Sequence, residues 1–159
     1  MTPSRLWRGL LVPTAPLNSS IGAGWIIPAS LWRKHWKNQI LIDGTNPFHG
    51  EAGNFTPADV GNLSTSQFVA ALAPGARVVK ALNTMIVTNL EADSIVNGAR
   101  RVAFISADDD GAKKQVETLL AGFGYSAIDL GNLRDGGLMQ QAGGPLAGRN
   151  LLEQGERHK

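Results

Sequence analysis

The order of apolar runs along this chain predicts an α/β fold built on a mainly parallel sheet. Two observations carry that expectation. Three short segments, Gln39–Asp43, Arg77–Leu82 and Arg101–Ser106, read as strands, the first apolar on both faces as in parallel sheets and the last as a buried strand. Stretches with helical spacing lie between and after them, and such alternation marks a layered α/β domain. The clearest unit, residues 101–130, places strand, helix and strand within about thirty residues, a βαβ unit that sterics make right-handed.

At 159 residues the chain has the length of one domain with a real core. Hydrophobic residues make up 43% and charged residues 18%, which excludes disorder, collagen and coiled coil as whole-chain descriptions. The absence of cysteine removes disulfides, thiolate metal sites, redox dithiols and a cysteine nucleophile together. No stretch approaches the roughly 20 uncharged apolar residues that span a bilayer. Composition therefore predicts a soluble, intracellular protein.

The front of the chain differs from the rest. Arg5, Arg8, Arg33, Lys34 and Lys37 precede the first acidic residue, Asp43, so residues 1–42 carry +5. The remaining ten basic and thirteen acidic residues give −3. All four tryptophans (Trp7, Trp25, Trp32 and Trp36) sit in this basic leader. An Arg-rich, acid-poor start fits a mitochondrial presequence, but Pro3, Pro13 and Pro16 interrupt any amphipathic helix and leave no clean run for a secretory signal. Five charges over 42 residues are thin for a nucleic-acid arm. The reading is an irregular leader over 1–24, a domain over 25–152 and a polar tail over 153–159.

Within the domain, Ser30 caps a helix over Leu31–Lys37, whose Lys34 and Lys37 suit the negative end of its dipole. The strand Gln39–Asp43 ends in the polar turn Gly44-Thr45-Asn46-Pro47. Residues 48–62, with Gly50, Gly53, Pro57 and Gly61, read as loop. Ser64-Thr65-Ser66-Gln67 is a capping-box pattern, and its helix runs over Phe68, Val69 and Leu72 to Pro74-Gly75. The strand Arg77–Leu82 ends at Asn83-Thr84, and a further helix is expected over 87–96. After Arg101–Ser106, Asp108-Asp109-Asp110 opens a helix with Ala112, Val116, Leu119, Leu120 and Phe123 at helical spacing. Gly122 and Gly124 end it, Tyr125–Leu130 is the next strand, and Gly131–Gly137 leads to a last helix interrupted by Gly143-Gly144-Pro145. Ligands of such sheets sit beyond the carboxyl ends of strands, which points to Gly44–Pro47 and Asn83-Thr84.

Other chemistries find little support. Gly22-Ala23-Gly24 begins like a dinucleotide fingerprint, but Ile27 stands where the third glycine belongs and no strand precedes it. The three aspartates 108–110 read as a helix start, where carboxylates meet free N–H groups, rather than as a metal loop. His35, His49 and His158 are isolated from one another and form no i, i+4 ligand pair. No serine sits in a G-x-S-x-G elbow. Thr45-Asn46-Pro47 and Asn83-Thr84 are equally readable as simple turns or as ligand contacts.

Taken in order, Leu41–Pro47, Gly75–Thr84, Ala107–Asp110, Asp129–Gly131 and Gly143–Ala147 resemble one family. It is the coenzyme F420-dependent NADP reductases, with their bacterial relatives known as NADPH-dependent reductases. The module is also similar to the cytoplasmic oxidoreductase domain of the six-transmembrane metalloreductases. The resemblance covers about residues 25–152. It implies a Rossmann-like three-layer sandwich that binds NADP(H) beside a deazaflavin (F420) or a flavin, with hydride passing directly between the rings. No catalytic side chain is then required, because positioning and exclusion of water suffice. By motif, Pro28 and Thr45-Asn46-Pro47 lie near the nicotinamide half, while Asn83, Thr84 and Met85 line the meeting place of the rings, with Asn83 and Met85 towards the second substrate. Leu82 stands where the family has Phe, and Met85-Ile86-Val87 where it has small and proline residues.

The family opens with a strand, a glycine fingerprint, a helix and a second strand, and none of these is readable before residue 25. The expectation is therefore a truncated, C-terminal portion of such a reductase that binds NADP(H) weakly or not at all alone. Its sheet would keep an exposed edge, covered by Trp25, Trp32 and Trp36 or used for homo-oligomer formation. A cytoplasmic location without membrane or nucleic-acid partners accompanies that reading. The alternative is a catalytically silent remnant that serves as an interaction or oligomerisation module.

Overall fold

The computed structural model describes residues 36–51, 54–57 and 61–155. The leader over 1–24, Pro28, the Ser30 cap, Trp25, Trp32, the Gly22–Gly24 pair and the end of the tail lie outside the described residues. Of the helix expected over Leu31–Lys37 only residues 36 and 37 are described, and Lys37 enters a turn in which Asn38 has φ +62.

Strands β1 (Ile40–Asp43), β4 (Arg77–Ala81), β6 (Ala99–Ala107) and β7 (Ser126–Asp129) stand side by side in that pairing order. The ladders β1–β4 and β6–β7, the longest in this sheet, are parallel, while β6 runs against β4. The N-terminal end of β6 also pairs antiparallel with β5 (Ile95–Val96) and β8 (Leu152–Glu153). The sheet is thus mixed within the expected α/β layout.

Helix α1 (Thr65–Leu72) starts at the expected capping box: Gln67 N–H donates to Ser64 Oγ at 3.3 Å, and Ser64 N–H donates to Gln67 Oε1 at 2.9 Å. Helix α3 (Asp110–Gly122) is capped by Asp109, whose Oδ1 accepts from Ala112 N–H at 2.6 Å. Its end uses Gly124 at φ +86, with Tyr125 N–H donating back to Leu120 O at 3.0 Å, a Schellman-type stop. Helix α2 covers only Val87–Glu91 and α4 covers Asp135–Gln140.

Two expectations are corrected, and the buried face of α1 is defined. The loop expected over 48–62 contains an antiparallel hairpin, β2 (Phe48–Glu51) with β3 (Asn54–Pro57), whose Phe48, Phe55 and Thr56 are residue types that favour strands. The helix expected over 87–96 stops at Glu91, because Asn97 (φ +50) and Gly98 (φ +80) form a two-residue hairpin turn that commits Ile95–Val96 to pair with β6. On α1, Phe68 and Leu72 face outwards, 44% and 46% exposed, and the helix instead buries Thr65 and Ser66.

The orientation of α1 reflects how the two sheet faces differ. Val79, Ala81, Ala103, Ile105 and Ala107 share one face and pack with Ala112, Val116 and Leu120 of α3 to form the apolar core. The opposite face carries Asp43, Lys80 and Ser106, and α1 and α4 cover it. Helix, sheet and helix pair make three layers. Close approach of α4 depends on glycine: a Cβ on Gly136 would stand 2.7 Å from Ser106 Cβ, and one on Gly137 would stand 2.7 Å from Ser64 Cβ and Oγ.

Gly137→Ala is therefore expected to destabilise the chain by about 1–3 kcal/mol through overpacking. Gly122→Ala, which meets nothing within 4 Å, should stabilise it by roughly 0.5–1 kcal/mol. Urea denaturation of the two variants beside the parent checks both signs.

Candidate functional site

Register builds the site. Asp43 of β1 lies opposite Lys80 of β4, which lies opposite Ser106 of β6, so an acid, a cation and a hydroxyl form one row across three strands. All three are buried, Lys80 at 0% exposure. Lys80 Nζ stands 3.5 Å from Asp43 Oδ2 and donates to Thr45 O and to Thr65 Oγ1, each at 2.9 Å. Asp43 also accepts from Ser66 Oγ and, at 2.9 Å, from Thr45 N–H. Thr65 N–H donates to Gln141 Oε1 at 2.9 Å, which ties the start of α1 to the segment after α4. Burial pulls the Lys80 pKa below the ordinary 10.5, and Asp43 opposes that pull by charge and hydrogen bond.

The two expected strand tips meet directly above this row. Asn46 Nδ2 donates to Asn83 O at 2.8 Å, and Asn83 Nδ2 donates to Asn46 Oδ1 at 3.0 Å. Asn83 Nδ2 reaches Gln140 O as well, at 2.7 Å, and Ala142 N–H donates to Asn46 Oδ1 at 2.9 Å. β4 arrives through Leu82 at φ +64, a left-handed conformation that costs a side-chain-bearing residue about 1–2 kcal/mol. Strain of that kind persists where the surroundings fix it, and here the Asn46–Asn83 pair and Gln140 fix it. Thr84 O accepts from Gly148 N–H at 2.9 Å, which closes the segment after α4 over the tip.

Of the expected residues, Asn46 and Asn83 meet directly, Thr45 and Pro47 flank Asn46 in the chain, Thr84 is held by Gly148, Met85 belongs to the apolar core, and Pro28 lies outside the described residues. Exposure of the described ones is low: all but the half-buried Asn46 are buried. Three side-chain oxygens in this cluster, Thr45 Oγ1, Asn83 Oδ1 and Gln140 Oε1, are buried without a hydrogen-bond partner. An orphaned acceptor in a protein interior costs about 1–3 kcal/mol, so three in one cluster need a reason.

Sequence reasoning missed Asp43, Lys80, Ser66, Gln140 and Gln141. One signal was available: a lysine inside an apolar strand is almost never buried without a partner. The aspartates 108–110 all have structural roles. Asp108 accepts from Leu133 N–H at 2.9 Å, Asp109 caps α3, and Asp110 pairs with Lys113 at 3.2 Å. Burial would lower Lys113, but its hydrogen bonds to the Asp129 and Asp110 carboxylates and their charge outweigh it and raise its pKa. Among the described residues no group of three or more acidic, histidine or cysteine side chains is placed to hold a metal. None of the described helices is long and apolar enough to cross a membrane.

Breaking the Asp43–Lys80 pair from one side should be costly. Lys80→Met is expected to lose about 3–5 kcal/mol, and Asp43→Asn in the same chain should recover part of it, as a double-mutant cycle will show. The pH dependence has a fixed sign. Because the folded chain releases the Lys80 proton before the unfolded chain does, stability rises with pH between the lowered value and 10.5. Chemical denaturation at about pH 7 to 10 should show that rise in the parent relative to Lys80→Met, the difference isolating Lys80 from Lys113 and Tyr125.

No protein-family model matches the chain. Among solved structures it is similar to the hypothetical protein SMa0349 from Sinorhizobium meliloti, with 37% identity and a TM-score of 0.70 over 76% of this chain and 58% of that one. It is also similar to a candidate F420-dependent NADP reductase from Arthrobacter sp. FB24, with 33% identity and a TM-score of 0.54 over 62% of this chain and 45% of that one. The chain therefore spans 58% and 45% of the lengths of these two proteins. Its α/β sandwich is Rossmann-like and has the layout of an NADP oxidoreductase.

Proposed function

We propose that this chain forms the nicotinamide-side portion of an oxidoreductase of the F420-dependent NADP reductase type. The observation that carries the reading is the Asn46–Asn83 pair, which joins two strand tips at the carboxyl ends of adjacent parallel strands, where nucleotide ligands of this layout bind. The Arthrobacter neighbour's description as a candidate F420-dependent NADP reductase supports the same class. NADP(H), when bound, supplies or accepts a hydride at its nicotinamide ring, with F420 or a flavin as the second redox partner.

The residues present fit such a group in one respect: unpaired oxygens on Thr45, Asn83 and Gln140 leave hydrogen bonds for a polar ring substituent. Thr45, Asn46 and Pro47 would hold the nicotinamide half, Asn83 and Thr84 its edge, and Asn83 and Met85 the face towards the acceptor. Their task is to orient and to keep water out, since direct hydride transfer asks no side chain for a proton. Among the described residues no strand runs into a G-x-G-x-x-G turn and helix. The described residues therefore supply no pyrophosphate amides of that kind.

A second reading, a catalytically silent interaction or oligomerisation module, is favoured by one observation. Leu63, Phe68 and Leu72 expose large apolar side chains on and beside α1, each more than 40% accessible.

Titration of the purified chain with NADPH, followed by ligand fluorescence, separates the two. The oxidoreductase reading expects saturable binding with Kd between about 10 μM and 1 mM, weakened about tenfold or more by Asn46→Ala. No saturation up to about 1 mM overturns it, and concentration-dependent association that Phe68→Glu abolishes would then favour the module.

A further inference from the structure

We propose that the outer edge of β1 pairs with the same edge of a second copy of this chain, antiparallel about a two-fold axis at Leu41. This pairing stands apart from the nucleotide reading of the strand tips and from the exposed face of α1.

The ladder defines the edge. Arg77 N–H donates to Gln39 O at 2.8 Å, and the parallel register sets Ile40 opposite Arg77 and Ile42 opposite Val79. Backbone groups alternate sides along a strand, so those of Gln39, Leu41 and Asp43 face β4 while those of Ile40 and Ile42 face away from it. Among the described residues no strand lies on that side, and nothing pairs with the N–H or C=O of either isoleucine.

Among the described residues, the other edges of this sheet are protected. β5 and β8 are two residues long each. β7 turns the backbone of Ala127 and Asp129 to its free side, and the exposed Asp129 carboxylate, 3.1 Å from Lys113, stands there. Short strands and charged side chains are the ordinary devices that blunt an edge. β1 has neither. Its Ile40, Leu41 and Ile42 are half-buried, no proline interrupts them, and Asp43 is spent inside on Lys80.

A second copy fits because the edge is self-complementary. About a two-fold axis at Leu41, Ile40 stands opposite Ile42 of the second copy, and the pair exchanges both N–H···O bonds. Leu41 meets its own counterpart as the non-hydrogen-bonded pair, where side chains come closest. Ile40 and Ile42 pack against the apolar core, so the pairing continues that core across the axis. No like charges face each other, since Asp43 falls opposite Gln39. The turn at Asn38, with φ +62, confines the pairing to residues 39–43. A two-fold contact uses the edge up, and assembly stops at the dimer.

Sedimentation velocity of the whole chain over about 1–300 μM tests the pairing, together with amide exchange at Ile40 and Ile42. The expected result is a monomer–dimer equilibrium with Kd of about 1–100 μM, as suits a small interface, and exchange at both amides that slows as the dimer fills. Ile40→Pro removes only an N–H that faces the free edge, and should weaken the dimer about tenfold or more while a thermal melt shows a folded chain. Phe68→Glu should leave the dimer unchanged. A monomer throughout that range overturns the proposal, as does a dimer that Phe68→Glu dissolves and Ile40→Pro spares. Protection of the Ile40 and Ile42 amides that does not change with concentration overturns it too, and assigns the edge to another strand of this chain. Exchange measured on the parent decides even where the proline variant does not fold.

Discussion

The buried ion pair between Asp43 and Lys80 is the interaction on which the rest of this architecture depends. Taking both charges out of water is expensive, and the pair is retained only because each atom has further partners. Lys80 holds the carbonyl of Thr45 and the hydroxyl of Thr65. Asp43 holds the amide of Thr45 and the hydroxyl of Ser66. One pair thereby ties β1, β4 and the first turn of α1 to a single geometry. It also explains why α1 turns its hydroxyls inwards and its Phe68 and Leu72 outwards, against the usual preference.

The consequence is felt three residues beyond each member of the pair, past the ends of the two strands. With Thr45 pinned through both its amide and its carbonyl, Asn46 is placed to exchange two hydrogen bonds with Asn83. Leu82 bears the backbone strain of that arrangement. Helix α4 supplies the third side, and its two adjacent glycines let its backbone lie on Ser106 and Ser64 without a clash. Polar groups in a low-dielectric interior rigidify when satisfied and are costly when not. The cluster at the tips shows both conditions in one place, a locked frame with three oxygens left unpaired.

Much of this was legible in the sequence, and the part that was not has a physical reason. The capping box at Ser64, the glycine stop at Gly124 and the strands are local signals, and local signals survive folding. The polar turns after Asp43 and Leu82 were recognisable as places to look. Registers are not local. Nothing in Ile40–Asp43 or Arg77–Ala81 alone says that Asp43 will face Lys80, because that depends on how two distant segments align. The phase of α1 is not local either: Phe68 and Leu72 keep helical spacing, but the face that is buried is decided by the row beneath it. The hairpin at Asn97-Gly98 is different, since that dipeptide is a turn signal in its own right and stands directly after the helix expected over 87–96. Gln140 carried no signal of its own, since a glutamine after a glycine-rich stretch reads as surface.

Native-state amide hydrogen exchange tests the central claim most directly, at Thr45 and Ala142, whose N–H groups donate to the side chains of Asp43 and Asn46. If the buried pair welds the tips into the core, these two amides exchange as slowly as those of β6 and open only with it. Exchange at the rate of exposed loops while β6 stays protected would show that the tips move independently of the row, and would contradict the account.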